Sequence, residues 1–314
     1  MQIVITGGAG FLGQRLAHKL LEHSTLKQLI LADVVAPPVP NQDARVRSVV
    51  ADLTDADAAR SLVSAETTAV YHLAAVVSGQ AEAKFDLGVA VNVDGTQNLL
   101  EAVRHQAPGA KVIFASSLAV YGGELPAVIT EDTGLQPQSS YGTQKAIAEL
   151  WVNDYTRKGF LDGRILRLPT VCVRPGKPNA AASSFASGII REPLNGEKAI
   201  CPVDPALPLW LSSPSAVTEN LVKGLALPAA DFGPYSRTVN LPGITVTVAE
   251  MIAALREVAG DEVAGRIQYQ PDETISKIVA SWPSQFDISR AIALGFQGDR
   301  SFTDIVRAHM QSQA

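Results

Sequence analysis

The sequence predicts an α/β fold, a doubly wound parallel sheet with a smaller C-terminal lobe, on three observations. Short apolar runs alternate with helical patterns through residue 170. The first of those runs opens directly into glycines spaced three apart. Past residue 170, prolines at 175, 178, 193, 202, 205, 208 and 214 cut the chain into short pieces that still carry apolar residues.

Residues 2–6 are apolar enough for a buried strand and lead into Gly7-Gly8-Ala9-Gly10-Phe11-Leu12-Gly13, after which a helical pattern covers 11–22. A strand, glycine turn and helix in this order aim the backbone N–H groups of a helix N-terminus at a pyrophosphate. Gly7 permits the tight turn, Gly10 the approach of the phosphate and Gly13 the packing of helix on strand, with Phe11 and Leu12 opening the helix beside the ligand. The next strand, 28–33, ends in Asp33. An acid there accepts from both ribose hydroxyls of an adenine nucleotide and repels a 2′-phosphate, so the expected cofactor is NAD rather than NADP.

Further strands are expected at 46–50, 68–72, 111–116 and 164–168, and helices at 55–65, 82–105 and 140–158. Thr54-Asp-Ala-Asp57 is a suitable helix start and Gly109 a suitable exit from the preceding helix. In such sheets ligands bind outside the carboxyl ends of the strands, and Gly7, Asp33, Asp52, Ala74, Ser117 and Thr170 all fall just past those ends. The expected division is a Rossmann-type NAD-binding domain over 1–170, with part of the later chain packing back on it, and a mainly substrate-binding lobe over 171–314. Helix is expected to return at 248–259 and near 302–309.

A second constellation indicates the chemistry. The strand from residue 111 ends in Ser116 and Ser117, and Tyr141 and Lys145 stand four apart at the start of a long helical pattern, on one face and one turn from each other. A tyrosine of pKa about 10 is a poor base at neutral pH. A lysine ammonium one turn away, together with an oxidised nicotinamide, favours the phenolate, and a shift of about three units amounts to roughly 4 kcal/mol. A Tyr-x-x-x-Lys pair alone is common in ordinary amphipathic helices; it is the glycine turn and the Ser-Ser strand end that give this one meaning.

Composition narrows the class. A net charge of −5 and the absence of basic runs argue against a nucleic-acid or membrane surface. No stretch approaches the length needed to cross a bilayer, and the N-terminus lacks a basic region before its apolar run, so a cytoplasmic location is expected. Cys172 and Cys201 do not suggest a disulfide framework, and Cys172 reads as a buried thiol. The five histidines have no metal-ligand spacing; His72, at a strand end, is expected in a structural or supporting role, and no metal is expected. Trp210, Trp282 and Phe185 read as core anchors.

The glycine turn, His72-Leu-Ala-Ala75, Ser116-Ser-Leu-Ala-Val-Tyr-Gly122 and Tyr141-Gly-Thr-Gln-Lys145 together resemble the extended short-chain dehydrogenase/reductases of the NAD-dependent epimerase/dehydratase superfamily, with matching order and spacing across residues 1–176. Within that superfamily Ala74-Ala-Val-Val-Ser-Gly-Gln80, Gly123-Glu-Leu-Pro126 and 168–193 are similar to the D-erythronate dehydrogenase group. The resemblance implies oxidation of a short polyhydroxy acid at C2, D-erythronate to 2-dehydro-D-erythronate. Tyr141 would be the general base, Lys145 would hold the nicotinamide ribose, Ser117 would bond the substrate oxygen, and Asn92 would support the lysine through a water relay. It also implies cofactor contacts from Asp52, Leu53, Leu73, Ala74, Ala75, Pro169 and Thr170, substrate contacts from Ser78 and Thr170, and a homodimer built on the helices at 82–105 and 140–158.

For the acid's carboxylate, Arg174-Pro-Gly-Lys177 supplies two cations, of which the arginine offers the bidentate grip, and Asn179 and Ser184 offer neutral partners for hydroxyls. The configuration of the substrate stays open, since erythronate and threonate differ at one hydroxyl. Two other readings fit part of the pattern: a nucleotide-sugar 4-epimerase or dehydratase using the same Ser, Tyr and Lys, and a non-catalytic NAD-sensing regulator, a class that usually lacks the Tyr or Lys retained here.

Overall fold

The computed structural model describes residues 1–176, 180–233 and 235–312. In chain order the elements are β1 (Gln2–Thr6), α1 (Phe11–Leu21), β2 (Gln28–Asp33), β3 (Val46–Val50), α2 (Ala56–Leu62), β4 (Thr67–His72), α3 (Ser78–Ala83), α4 (Phe85–Gly88), a π-helical turn over Val89–Asp94, α5 (Gly95–Gln106), β5 (Lys111–Ser117), α6 (Ser140–Arg157) and β6 (Asp162–Leu168). There follow β7 (Thr170–Val171), α7 (Ser184–Leu194), β8 (Ala199–Cys201), β9 (Pro208–Ser212), α8 (Pro214–Ala226), β10 (Thr238–Asn240), β11 (Ile244–Thr247), α9 (Val248–Ala259), α10 (Asp261–Ala264), β12 (Ile267–Tyr269), α11 (Glu273–Ala280), α12 (Ser289–Ala293) and α13 (Phe302–Gln311).

The chain forms two compact units. The first comprises 1–117, 140–167 and 218–239; the second comprises 118–139, 168–217 and 240–314. Residues 118–139 fall in the second unit, and 218–239, from the later chain, fall in the first. The return has a physical anchor. Arg164, fully buried in β6, donates from Nη1 to the carbonyls of Gly224 (2.5 Å) and Leu225 (2.7 Å), pairs with Asp162 and lies over the Phe232 ring. Lys111 Nζ adds a bond to the Leu225 carbonyl, so two cations meet the carboxyl end of α8, where the helix dipole favours them.

The main sheet has the order β10-β6-β5-β4-β1-β2-β3, with parallel pairing from β3 through β2, β1 and β4 to β5. The order reverses between β1 and β4, which makes the carboxyl end of β1 the topological switch point at which such sheets bind ligands. Both faces are covered, and Ile3, Val4, Ile5, Leu29, Leu31 and Val70 are entirely or almost entirely buried, as a parallel sheet requires.

The expected helix over 82–105 is the clearest difference between expectation and structure. Helix begins at Ser78, breaks at Lys84 (φ −133°), passes through the π-helical turn and resumes at Gly95. The expected 55–65 helix is shorter, since Asp55 caps the N–H groups of Asp57 and Ala58 while Val63 is already extended. Residues 248–259 are helical as expected, opened by a capping box between Thr247 and Glu250.

The second unit has its own core around Phe185, Ile189, Ile190, Leu211, Met251 and Val306, with Trp282 packed against it. Trp210 is buried there and stacks on Phe286. Cys172 is a buried free thiol whose pKa burial pushes up to about 12. Among the described residues no helix is long and apolar enough to cross a membrane.

Candidate active site

The glycine turn closes as its spacing predicts. Gly7 has φ +74°, and a Cβ there would meet the Ala74 amide at 2.8 Å. Gly10 N–H bonds the Gly7 carbonyl, and α1 starts from Gly10 with no side-chain cap, which leaves its first N–H groups to a ligand. A Cβ at Gly13 would lie 2.2 Å from the Gly7 carbonyl oxygen. Asp33, at the end of β2, turns one carboxylate oxygen to the Ala9 N–H (3.0 Å) and the other to the Val34 N–H (2.8 Å), which fixes a half-buried acid beside the turn. A backbone cradle that tolerates no side chain, an uncapped helix start and an anchored acid fit the pyrophosphate and ribose of a dinucleotide.

The other expected cofactor contacts of this unit lie near that edge. The Leu73 N–H bonds the Thr6 carbonyl, Ala74 borders Gly7, and Ala75 follows them before α3. Leu53 packs under Gly95, and Asp52 binds the Thr54 N–H and hydroxyl. Phe11 and Leu12 open α1, with the Arg15 guanidinium over the Phe11 ring.

His72 joins the turn to the middle of the π-helical segment. Its Nδ1 meets Thr6 Oγ1 at 2.7 Å and its Nε2 meets Thr96 Oγ1 at 2.8 Å, while Thr96 gives its own proton to the Asn92 carbonyl (2.7 Å). The ring proton therefore sits on Nε2, and Nδ1 accepts from Thr6. Burial, with the Lys145 charge added, drives the His72 pKa down to about 3, so the ring is a neutral brace.

Asn92 is buried in the π-helical turn. Its amide spans the Val76 backbone (Oδ1 from N–H 2.8 Å, Nδ2 to the carbonyl 2.9 Å) and donates to Gln144 Oε1 at 2.7 Å. Gln144, between Tyr141 and Lys145 in sequence, is almost wholly buried and fits because residue 88 is glycine: a Cβ there would come within 2.6 Å of Gln144 Nε2. Asn92 thus ties α6 to the segment after β4; the role of Gln144 carries no sequence signal of its own.

Lys145 is buried on α6, with Nζ donating to the Ala115 carbonyl (2.9 Å) and lying 4.6 Å from the Phe114 ring centroid and 5.8 Å from that of Tyr141. Burial lowers its pKa to about 8 and the Glu149 carboxylate opposes that shift. Tyr141 is half-buried in the first turn of α6, and Ser117 is half-buried at the end of β5, two residues beyond the carbonyl that holds Lys145. Ser116 points the other way, fully buried on Glu149. Ser78 is buried at the start of α3.

The remaining expected residues belong to the second unit. Pro169 precedes β7, and Thr170 pairs with Leu211. The Arg174 N–H donates to Ser187 Oγ (3.0 Å), and its carbonyl accepts from buried Arg191 (2.7 Å), which is ion-paired with Glu192. Ser184 begins α7. Lys177 and Asn179 lie outside the described residues.

A switch-point glycine cradle with an anchored acid, in one unit with a Ser, Tyr and Lys set on β5 and α6, fits a nucleotide-dependent enzyme. The chain matches the NAD dependent epimerase/dehydratase family over residues 3–210 and belongs to that family. It is 55% identical over 320 residues to the D-erythronate dehydrogenase of Cupriavidus necator, covering 99% of this chain and 98% of that one. It is 50% identical to the D-erythronate dehydrogenase of Haemophilus influenzae, covering 99% of both. Among solved structures, the nucleoside-diphosphate-sugar epimerase of Agrobacterium tumefaciens is 41% identical with a TM-score of 0.93, over 99% of this chain and 94% of that one.

Proposed function

We propose that the protein is an NAD-dependent dehydrogenase that oxidises D-erythronate at C2 to 2-dehydro-D-erythronate. The observation that carries this reading is end-to-end identity of 50% or more to two D-erythronate dehydrogenases. In this reading Tyr141, as the phenolate, takes the proton of the C2 hydroxyl, and Ser117 holds the same oxygen through its hydroxyl. Lys145, tethered by the Ala115 carbonyl, brings its ammonium within one turn of Tyr141 and favours the ionised phenol. NAD, when bound, supplies the two-electron oxidation by accepting the hydride of C2. Asn92 keeps α6 and the residues after β4 in one arrangement through its bonds to Val76 and Gln144.

Pairing with the 41% identical epimerase favours a second reading, in which the cofactor is reduced and reoxidised within one cycle on a nucleotide sugar. A panel of C4 to C6 aldonic acids with NAD, followed by absorbance of the reduced cofactor, separates the two. One NADH formed per D-erythronate consumed supports the dehydrogenase. No net NADH with any acid, together with conversion of a nucleotide sugar, supports the epimerase.

NAD over NADP is assigned to Asp33. Replacing it with Ser removes the charge that faces a 2′-phosphate, so NADP is expected to gain and NAD to lose, which the ratio of kcat/KM values for the two cofactors reads. An unmodified enzyme that already prefers NADP ends this assignment.

Arg174 is assigned to the substrate carboxylate, because a buried carboxylate left unpaired costs several kcal/mol and the fork of an arginine meets both its oxygens. Arg174→Ala is expected to raise KM for the acid about ten- to a hundredfold, the equivalent of about 1.5–3 kcal/mol for a charged hydrogen bond, with NAD affinity nearly unchanged. An unaltered KM moves the carboxylate to another group.

A homodimer is the proposed assembly. Leu150 (66% exposed) and Ile147 lie on the outer side of α6, and Phe85 and Leu87 are exposed on neighbouring α4, a group of large apolar side chains that a second copy would cover. Light scattering that gives the monomer mass at micromolar concentration would overturn it.

A further inference from the structure

Two successive positions on the buried stripe of α6 hold two successive positions of β5. Lys145 Nζ takes the Ala115 carbonyl, and Glu149, one turn on, takes the Ser116 hydroxyl at 2.5 Å. The next residue of β5 is Ser117. Behind Glu149, Arg167 of β6 closes a bidentate pair, Nε to Oε1 at 2.8 Å and Nη2 to Oε2 at 2.6 Å. Lys145, Glu149 and Arg167 are 3%, 2% and 5% exposed. A buried ion pair is weak evidence for stability, since well-packed apolar residues of similar volume often do as well. Its position next to the lysine calls for a second account.

We propose that Glu149 is a positioning residue for the acid–base machinery, keeping Lys145 protonated through its charge and fixing the strand end that presents Ser117 through Ser116. The proposal rests on the assignment of Tyr141 as base and Lys145 as its cationic neighbour. The groups that face Lys145 can be named element by element. Tyr141 and Glu149 come from α6 itself, and neutral His72 comes from β4. The Phe114 ring and the Ala115 carbonyl come from β5; one contact further out are the Ser116 hydroxyl and Arg167, both on Glu149, and Asn92 of the π-helical turn, on Gln144. Among the described residues Glu149 is the anion that acts on the lysine, and it works against the burial that pulls the lysine's pKa down.

Arg167 shapes the consequence of losing the carboxylate. In the native protein its guanidinium is held in a bidentate pair with Glu149. With a neutral residue at 149, the lysine loses that anion while Arg167 behind it keeps its charge, so the lysine releases its proton at lower pH.

The test is the pH profile of kcat/KM for NAD-dependent oxidation of D-erythronate, in the full-length enzyme and three variants. On the proposed roles, the alkaline limb is expected to follow deprotonation of Lys145. Glu149→Gln is expected to move that limb down by about one pH unit or more, the usual scale for removing a close opposite charge. Because breaking a buried ion pair from one side endangers folding, Glu149→Gln/Arg167→Met removes both charges, and its limb is expected to move down by a smaller amount. A purely structural Glu149 would lower activity evenly with pH or lower Tm, and a limb that stays at the parent position in either folded variant overturns the proposal. Lys145→Met separates this from failure of the underlying assignment. If it loses turnover while Glu149→Gln leaves the parent limb in place, the proposal alone fails. If it retains both turnover and limb, the Tyr141 and Lys145 assignment fails and the proposal falls with it.

Discussion

Tyr141→Phe is expected to lower turnover at least about a hundredfold while NAD binds as before, the scale on which loss of a general base is felt. The substitution removes one oxygen and little else. The ring, in the first turn of α6, still fills its place beside Lys145, whose Nζ lies 5.8 Å from its centroid, and the lysine keeps its bond to the Ala115 carbonyl. What disappears, on the proposed function, is the acceptor for the C2 hydroxyl proton. Ser117 cannot replace it, because a serine hydroxyl has no accessible ionised form near neutral pH. Turnover with D-erythronate at saturating NAD, paired with NAD affinity from quenching of protein fluorescence, is the measurement. Near-normal turnover would end the assignment of Tyr141 as base; equal loss of NAD affinity would make the tyrosine a cofactor contact first.

The parts of this molecule that were legible in its sequence are those governed by local chemistry. The run 2–6 is strand because every residue is buried on both faces, and the glycine turn follows because backbone must approach backbone at Gly7 and Gly13. The helix over 248–259 is found where its apolar pattern places it, and the Thr247 and Glu250 capping box fixes its start. The break within 82–105 was not legible. The π-helical turn is held by Asn92 reaching across to Val76 and Gln144, contacts separated by 16 and 52 residues, and a period of 3.6 carries no sign of them. The same holds for Glu149. Four residues after Lys145, it reads as an ordinary surface ion pair along a helix; only the fold turns it inward to Ser116 and Arg167. A sign was present in β6, where Arg164 and Arg167 flank an apolar Ile-Leu pair, since cations in a central strand need buried partners. Which later segment joins the first unit is set by long-range contacts as well: Arg164 and Lys111 grip the carbonyls of Gly224 and Leu225 in 218–239.

Gly13→Ala is expected to raise the dissociation constant for NAD at least about a hundredfold. One methyl group would have to occupy a point 2.2 Å from the Gly7 carbonyl oxygen and 3.0 Å from Gly8 Cα, and both are backbone atoms. No rotamer change relieves such a contact, so α1 and the turn must move apart. The Gly7 carbonyl is also the acceptor for Gly10 N–H, so the shift would displace the amides that open α1. Each charge-assisted bond from such an amide to a pyrophosphate oxygen contributes about 1.5–3 kcal/mol, and losing two of them exceeds a hundredfold. Gly134→Ala is the control, for a Cβ at that position meets nothing within 4 Å. The control is expected to bind NAD like the parent, and calorimetric titration of both variants reads the difference. If Gly13→Ala binds NAD normally while still folded, the cofactor does not rest on this turn, and the placement of the pyrophosphate at the carboxyl end of β1 is wrong.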